Sequence, residues 1–121
     1  MFGIQTLNKI SPAGLNKFGE GYTCGDQVQN PDAVLVRSAS MHEMEFPSSL
    51  KAIARAGAGV NNIPVDKCSE MGIVVFNTPG ANANAVKELV IAALLLSSRK
   101  IVQGIEWTKT LKGEGANISK L

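Results

Sequence analysis

The fold of this chain is decided by the stretch Ala54–Glu88, in which apolar runs alternate with loops of small or polar residues. The run that ends at Ala54 leads into Arg55–Asn62 (RAGAGVNN), and a second run, Ile73–Phe76 (IVVF), leads into Asn77–Asn82 (NTPGAN). Each unit is typical of a buried strand followed by a turn, because Gly, Asn and Pro favour turns. Loops that follow parallel strands meet at one edge of the sheet. The sequence therefore predicts an anion-binding crevice of backbone N–H groups there.

The remaining elements complete the prediction of an α/β fold. The predicted strands are Met1–Leu7, Tyr22–Cys24, Ala33–Val36, Leu50–Ala56 and Ile73–Phe76. A short helix is predicted to begin at Ser11-Pro12, and a second to cover Pro64–Met71. A further turn or two of helix is expected in Ile105–Lys112. Proline at the first helical position is typical of both helix starts. Strands and helices that alternate at this spacing predict a parallel sheet with flanking helices.

Composition excludes several classes of protein. The chain has 121 residues, of which 45% are hydrophobic and 18% charged, and this is typical of one globular core. The net charge of +2 comes from scattered Lys and Arg, so we expect no nucleic-acid partner. Cys24 and Cys68 stand alone beside a single histidine, which predicts free thiols and no metal site.

Nothing in the sequence predicts a targeting or membrane segment. The amino terminus has no basic region followed by a long apolar region, so it does not resemble a signal peptide. The longest apolar run, Leu89–Leu96, is far shorter than the ~20 residues that a membrane span needs. We therefore expect a soluble, cytoplasmic protein without a membrane partner.

Arg37 follows directly after the apolar strand Ala33–Val36. One interpretation is a solvated surface arginine. The other is an anion-binding residue, because ligands of such sheets bind at the carboxyl ends of the strands and a guanidinium pairs well with carboxylate or phosphate. The sequence alone leaves both interpretations open.

The glycine pair Gly57 and Gly59 matches only part of the dinucleotide-binding pattern G-x-G-x-x-G. Asn62 stands where the third glycine is required, Pro64 follows, and no acidic residue comes after the strand Ile73–Phe76. The loop therefore predicts a turn that offers N–H groups to a small carboxylate or phosphate, and not an NAD site.

A long apolar helix is predicted over Asn84–Val102. Its apolar residues cover most of its circumference, and at 1.5 Å per residue it is roughly 27 Å long. One small sheet cannot cover such a helix. We therefore expect it to contact a second domain or a second copy, which makes a homodimer through Asn84–Val102 the predicted assembly.

Four segments together resemble the amino-terminal part of the NAD-dependent D-2-hydroxyacid dehydrogenases. They are Leu35–Ser38, Arg55–Ile63, Gly72–Pro79 and Asn82–Leu89. The resemblance implies a flavodoxin-like substrate domain that a Rossmann domain interrupts in sequence. Residues 1–81 would then be an incomplete substrate-binding domain, and residues 82–121 the linking helix and the beginning of a truncated nucleotide-binding domain.

The same resemblance implies roles for individual residues. Those expected to bind a small anionic substrate are Arg37 and Ser38, the backbone of Ala58, Gly59 and Val60, and Asn82. In that family the catalytic Arg, Glu and His and the NAD-binding motif belong to later segments. We therefore expect NAD to bind in the intact enzyme but not to this chain. We also expect this chain to catalyse nothing alone. His42 is expected to be a surface residue. Asn61 replaces an aspartate of many relatives, which we expect to have little functional effect.

Two alternatives remain open at the level of the sequence. The intact enzyme could be a D-2-hydroxyacid dehydrogenase of the lactate, glyoxylate or glycerate type, since the same loops would serve each of them. From a different class, the chain could be a stand-alone flavodoxin-like module that binds an anion for regulation. A receiver domain is disfavoured, because no acidic pair follows the first strand.

Overall fold

A computed structural model describes residues 1–120 and shows a five-stranded parallel sheet. The strands are β1 (Phe2–Thr6), β2 (Tyr22–Gly25), β3 (Ala33–Val36), β4 (Ala52–Arg55) and β5 (Val74–Phe76). Their order is β2-β1-β3-β4-β5, and all neighbouring pairs are parallel. This is the flavodoxin-like strand order. The prediction of an α/β fold with a parallel sheet and flanking helices is confirmed.

The helices are short in the first part of the chain and longer after residue 82. They are α1 (Pro12–Leu15), α2 (Val65–Glu70), α3 (Ala83–Ser98) and α4 (Ile101–Thr110), followed by a 3-10 helix over Gly115–Lys120. By backbone contacts the chain divides into two compact units, residues 1–81 and the residues from Asn82 onward. The sheet, α1 and α2 belong to the first unit.

The hydrophobic core lies on one face of the sheet. Alternate residues of β3 and β4 point into it, namely Val34, Val36 and Ile53, each at most 2% exposed. The loops and α2 cover these side chains with Met41, Leu50, Ile63, Cys68 and Ile73. Because this packing holds the ends of β3 and β4 side by side, the loops that follow them are held side by side as well.

The opposite face of the sheet is apolar and partly exposed. The strand register brings Phe2 beside Tyr22 on one side and Ala54 beside Phe76 on the other. Phe2 is 58% exposed and Phe76 57%. Between them lies an apolar depression of about 390 Å³, whose floor includes Ala33, Leu35, Ala52 and Ala54. Parallel sheets are usually covered on both faces, so this face is available for a further layer.

The prediction of one helix over Asn84–Val102 is wrong at its carboxyl end. Helix α3 ends at Ser98, and Lys100 adopts the left-handed conformation with φ 48° and ψ 38° before α4 begins. The hydroxyl of Ser97 donates to the Leu94 carbonyl at 2.9 Å, and that of Ser98 to the Leu95 carbonyl at 3.1 Å. Such bonds compete with the helical ladder and favour its end here.

Helix α3 is nevertheless apolar, and its apolar side chains are exposed. Leu89 is 72% exposed, and Val86, Val90, Leu94 and Leu95 are each more than half exposed. Within residues 1–120, no helix has the length and apolarity needed to cross a membrane.

Candidate functional site

The candidate site lies at the carboxyl edge of the sheet, where β1 and β3 are neighbours. In the flavodoxin-like order this is the point at which the chain switches direction across the sheet, and ligands of such folds bind there. Asn8 and Lys9 come shortly after β1, and Arg37 and Ser38 come directly after β3. A cavity of about 540 Å³ opens beside the end of β1, and its lining includes Thr6, Leu7, Asn8, Lys9, Ile10, Leu15 and Asp26.

Arg37 and Ser38 contribute side chains to this edge and not free backbone donors. The Asn8 side-chain oxygen accepts hydrogen bonds from three successive N–H groups, those of Arg37 at 2.8 Å, Ser38 at 3.0 Å and Ala39 at 3.1 Å. The Arg37 guanidinium donates to the Lys9 carbonyl at 3.4 Å. Both side chains are exposed and can therefore reach a ligand at the edge.

The glycine loop presents its N–H groups and uses its carbonyls internally. The Gly57 carbonyl accepts from the Thr78 N–H at 3.0 Å, and the Ala58 carbonyl accepts from the Asn77 side chain at 2.7 Å. By contrast, the N–H groups of Ala58, Gly59 and Val60 have no acceptor within the described part of the chain. Ala58 and Gly59 are exposed. This is the orientation that a small anion requires.

Arg55 joins the site, and the sequence analysis missed it. It ends β4 and pairs with Val36 across the sheet, so it stands next to Arg37. Its Nε donates to the Arg37 carbonyl at 2.8 Å, and its Nη1 donates to the Gly59 carbonyl. The signal was available, because Arg55 follows the apolar run of β4 in the same way that Arg37 follows β3.

Within the described part of the chain, no acidic side chain pairs with either arginine. The ion pair found in the described residues, Lys109 with Glu106, lies on α4 and not at this edge. No carboxylate within residues 1–120 lies within 4.0 Å of the charged nitrogens of Arg37 or Arg55. An edge with two guanidinium groups and free N–H groups attracts an anion with more than one negative oxygen.

Asn62 is a second residue that the sequence analysis did not assign to the site. It is only 8% exposed. Its side-chain nitrogen donates to the carbonyls of Ala39 at 2.7 Å and Arg37 at 3.4 Å. Its side-chain oxygen has no partner among the described residues. Asn62 thus connects the loop after β3 with the glycine loop.

Asn82 belongs to the second unit and stands at the N-cap position of α3, without a side-chain cap bond. The predicted start of this helix at Asn84 is wrong, because Asn84 lies inside the first turn of α3 and its side chain bonds with Glu88 and Lys87. That Asn82 contacts the same ligand as Arg37 stays a prediction. His42 is exposed, as predicted, and its Nε2 lies 2.9 Å from the Asn61 carbonyl.

The glycine loop does not fit a dinucleotide. Asn62 is buried at the position of the third glycine, and α2 begins only at Val65, after Pro64. The residue after β5 is Asn77 and not an acid that could bond a ribose hydroxyl. Among residues 1–120, no three His, Cys, Asp or Glu side chains are placed to hold a metal ion. The residues at this edge are suited to a small anion.

Comparison with known proteins identifies the family. The profile described as "D-isomer specific 2-hydroxyacid dehydrogenase, catalytic domain" matches residues 19–114. The chain belongs to the D-isomer specific 2-hydroxyacid dehydrogenase family. It is thereby part of a family of oxidoreductases that act on 2-hydroxy acids, and the resemblance noted from the sequence motifs is confirmed.

Individual relatives agree with this family. The chain is similar to hydroxypyruvate reductase of Thermotoga maritima, with 42% identity over 69% of the chain. It is also similar to D-3-phosphoglycerate dehydrogenase of Archaeoglobus fulgidus, with 38% identity over 73% of the chain. A crystal structure of NAD⁺-bound 3-phosphoglycerate dehydrogenase from Entamoeba histolytica superposes with a TM-score of 0.63 and 28% identity over 78% of the chain.

The chain spans only part of the length of each of these proteins. It covers 30% of the Thermotoga protein, 17% of the Archaeoglobus protein and 38% of the Entamoeba chain.

Proposed function

We propose that this chain is the substrate-binding part of an NAD-dependent D-3-phosphoglycerate dehydrogenase, which oxidises 3-phosphoglycerate to 3-phosphohydroxypyruvate for serine biosynthesis. The observation that carries the proposal is the pair Arg37 and Arg55 beside the free N–H groups of Ala58, Gly59 and Val60. The substrate has a carboxylate at one end and a phosphate at the other. Two guanidinium groups and a row of N–H donors can bind both ends at once.

Residues 1–81 supply the substrate-binding domain in this proposal. Residues 82–121 are the linking helices and the beginning of the nucleotide-binding domain, with Asn82 as a further hydrogen-bond donor to substrate. In the intact enzyme NAD would supply the hydride acceptor, and residues other than the glycine loop would hold it, because that loop does not fit a dinucleotide. The chain by itself binds substrate weakly and has no activity, and its location is the cytoplasm.

Replacement of Arg37 tests the proposal. In the enzyme that contains this chain, Arg37→Ala should lower kcat/KM for 3-phosphoglycerate by a factor that corresponds to about 2–4 kcal/mol of lost transition-state stabilisation. This is the effect of losing a charge-assisted bond to substrate. Lys51→Ala is the matched control. Lys51 precedes β4 at the opposite edge of the sheet and bonds to the Ser48 carbonyl, so its loss removes the same charge away from the site. Equal kinetics for Arg37→Ala and wild type would contradict the proposal.

A second candidate is a reductase for a smaller 2-keto acid, which the 42% identity to hydroxypyruvate reductase favours. The phosphate separates the two candidates. If Arg55 or Arg37 pairs with the phosphate, 3-phosphoglycerate should be preferred over D-glycerate by roughly tenfold or more in kcat/KM, since a charge-assisted pair contributes about 1.5–3 kcal/mol. Equal use of both substrates would favour the smaller acid. Anion binding without turnover by the whole protein would indicate a regulatory module.

We also propose that the protein forms a homodimer through α3 and the residues up to Val102. The exposed apolar side chains of α3 support this assembly. An apolar surface of this kind is typical of an interface in a folded protein.

A further inference from the structure

We propose that Asn8 and Asn62 are positioning residues that hold the backbone of residues 37–39, one through its N–H groups and the other through its carbonyls, and so fix the direction of the Arg37 side chain. We call this pair the asparagine clamp. The inference rests on the proposed function, because it assumes that Arg37 binds the substrate anion. It adds two residues that contact no ligand themselves.

One half of the clamp acts as an acceptor. The Asn8 side-chain oxygen receives all three N–H groups of residues 37–39, at 2.8, 3.0 and 3.1 Å. Three successive N–H groups that point to one oxygen form a concave site of partial positive charge. A neutral amide oxygen satisfies this site without adding a negative charge beside Arg37.

The other half acts as a donor. The Asn62 side-chain nitrogen bonds to the carbonyls of Ala39 and Arg37, at 2.7 and 3.4 Å, and the Asn62 carbonyl accepts from the Met41 N–H at 2.9 Å. Asn62 is almost fully buried, so these bonds are shielded from water. Asn8 and Asn62 lie 29 and 25 residues from Arg37, on the amino-terminal and carboxyl-terminal sides respectively.

The clamp explains how an exposed loop can present arginine in one direction. Residues 37–39 belong to neither a strand nor a helix, and Arg37 and Ser38 are exposed. Without the two amides, this segment would have to be ordered when the ligand binds, and that cost reduces affinity. With the two asparagines in place, the N–H groups of residues 37–39 and the carbonyls of Arg37 and Ala39 are already hydrogen-bonded in the free protein.

The opposite hydrogen-bond directions provide a test with two chemically identical substitutions. Asn8→Asp keeps an acceptor for the three N–H groups, whereas Asn62→Asp removes the donor to the two carbonyls. In the whole chain at neutral pH, amide hydrogen exchange at residues 37–39 should stay within about threefold of wild type in Asn8→Asp. In Asn62→Asp it should accelerate by tenfold or more, as expected from the loss of buried hydrogen bonds.

Inorganic phosphate is the probe for ligand binding. Both substitutions add one negative charge near Arg37, so the difference between their phosphate affinities isolates the hydrogen-bond direction. Asn62→Asp should weaken phosphate binding roughly tenfold more than Asn8→Asp does. Asn61→Asp is the charge control, because it adds the same charge next to Asn62, and no bond from the Asn61 side chain to residues 37–39 is found in residues 1–120. Its exchange rates at residues 37–39 should match the wild type.

Equal acceleration of exchange in the two variants, or acceleration in neither, would overturn the clamp. If Asn62→Asp does not fold, Asn8→Ala and Asn62→Ala provide the uncharged test: both should accelerate exchange at residues 37–39 and weaken phosphate binding, and wild-type behaviour of either would overturn the inference. If the wild-type chain binds no phosphate, the proposed function fails while the exchange comparison still decides the clamp.

Discussion

At the scale of single residues, the candidate site depends on two arginines at the carboxyl ends of adjacent strands, since Arg55 is the last residue of β4 and Arg37 follows β3. Arg37 was a candidate from the sequence, since a charge directly after a buried strand is a local signal. Arg55 carries the same signal but lies at the start of the glycine motif, and only the backbone N–H groups of that motif were assigned a role from the sequence. Its contact with the Arg37 carbonyl exists only because β3 and β4 are paired with Val36 opposite Arg55.

The glycine loop gives a matched pair of substitutions. A Cβ at Gly59 would lie 2.7 Å from Arg55 Nη1, whereas a Cβ at Gly57 would meet Arg55 only at 3.6 Å. Gly59→Ala should therefore displace the Arg55 guanidinium and weaken phosphate binding by the chain about three- to tenfold, within the range for one lost charge-assisted bond. Gly57→Ala should bind phosphate like the wild type. The measurement is titration calorimetry, and equal affinities for both variants would contradict the assignment of Arg55 to the site.

Cys68 predicts a dependence of stability on alkaline pH. Burial raises the pKa of the Cys68 thiol, and the nearby Lys67 ammonium opposes this only in part. The folded state therefore holds the thiol proton more tightly than the unfolded state. Its contribution is fully present below about pH 8.5, the ordinary thiol pKa, and is lost as the pH rises further.

Cys68→Ala provides the comparison for this effect. It should be less stable than the wild type at pH 7, because it leaves a cavity in the core. Between pH 8 and 10, however, its free energy of unfolding, measured with urea, should fall less steeply than that of the wild type. Parallel curves over this range would show that the thiol does not contribute.

At the scale of secondary structure, the strands were predictable and the helix ends were not. The five predicted strands are all present, because short apolar runs bounded by Gly, Pro or Asn are a strong local signal. The long apolar pattern over residues 84–102 is equally clear, but it contains no Gly or Pro at its break. The interruption at Lys100 depends on a backbone conformation that hydrophobic periodicity does not reveal.

Lys100 itself can be tested by glycine. Its φ of 48° lies in the left-handed region, where the Cβ of most residues costs about 1–2 kcal/mol. Glycine has no Cβ and avoids this cost. After allowance for the extra freedom of glycine in the unfolded chain, Lys100→Gly should raise the stability of the second unit by about 0.5–1 kcal/mol. Arg99→Gly is the control, since φ is −106° there and glycine gains nothing. Thermal unfolding followed by circular dichroism should rank Lys100→Gly above wild type and Arg99→Gly below it.

At the scale of the whole molecule, each unit exposes apolar surface. In the first unit it is the sheet face that includes Phe2 and Phe76, and in the second it is α3 with Leu89 and Leu94. Folded monomers rarely expose contiguous apolar patches of large area. We therefore expect these apolar surfaces, and not the anion site, to determine how the chain assembles.

The proposed homodimer leads to a direct prediction. The double substitution Leu89→Gln and Leu94→Gln on α3 should convert the dimer to monomer in analytical ultracentrifugation, because it removes two exposed leucines from the interface. Lys87→Gln, on the same helix, should leave the dimer intact. A wild-type chain that sediments as a monomer at high concentration would contradict the assembly.

The sequence by itself determined the α/β class, the strands and the glycine loop of the candidate site, because apolar runs and turn residues act locally. It also identified the family, since the motifs keep their order and spacing. Only the tertiary structure decided that Arg55 stands beside Arg37, that Asn8 and Asn62 hold residues 37–39, and that α3 ends before Lys100. The position of Arg55 depends on strand register, and the contacts of Asn8 and Asn62 depend on the direction of their hydrogen bonds. These contacts join residues that are 18 to 31 positions apart in the sequence. Such contacts form only when the sheet has assembled.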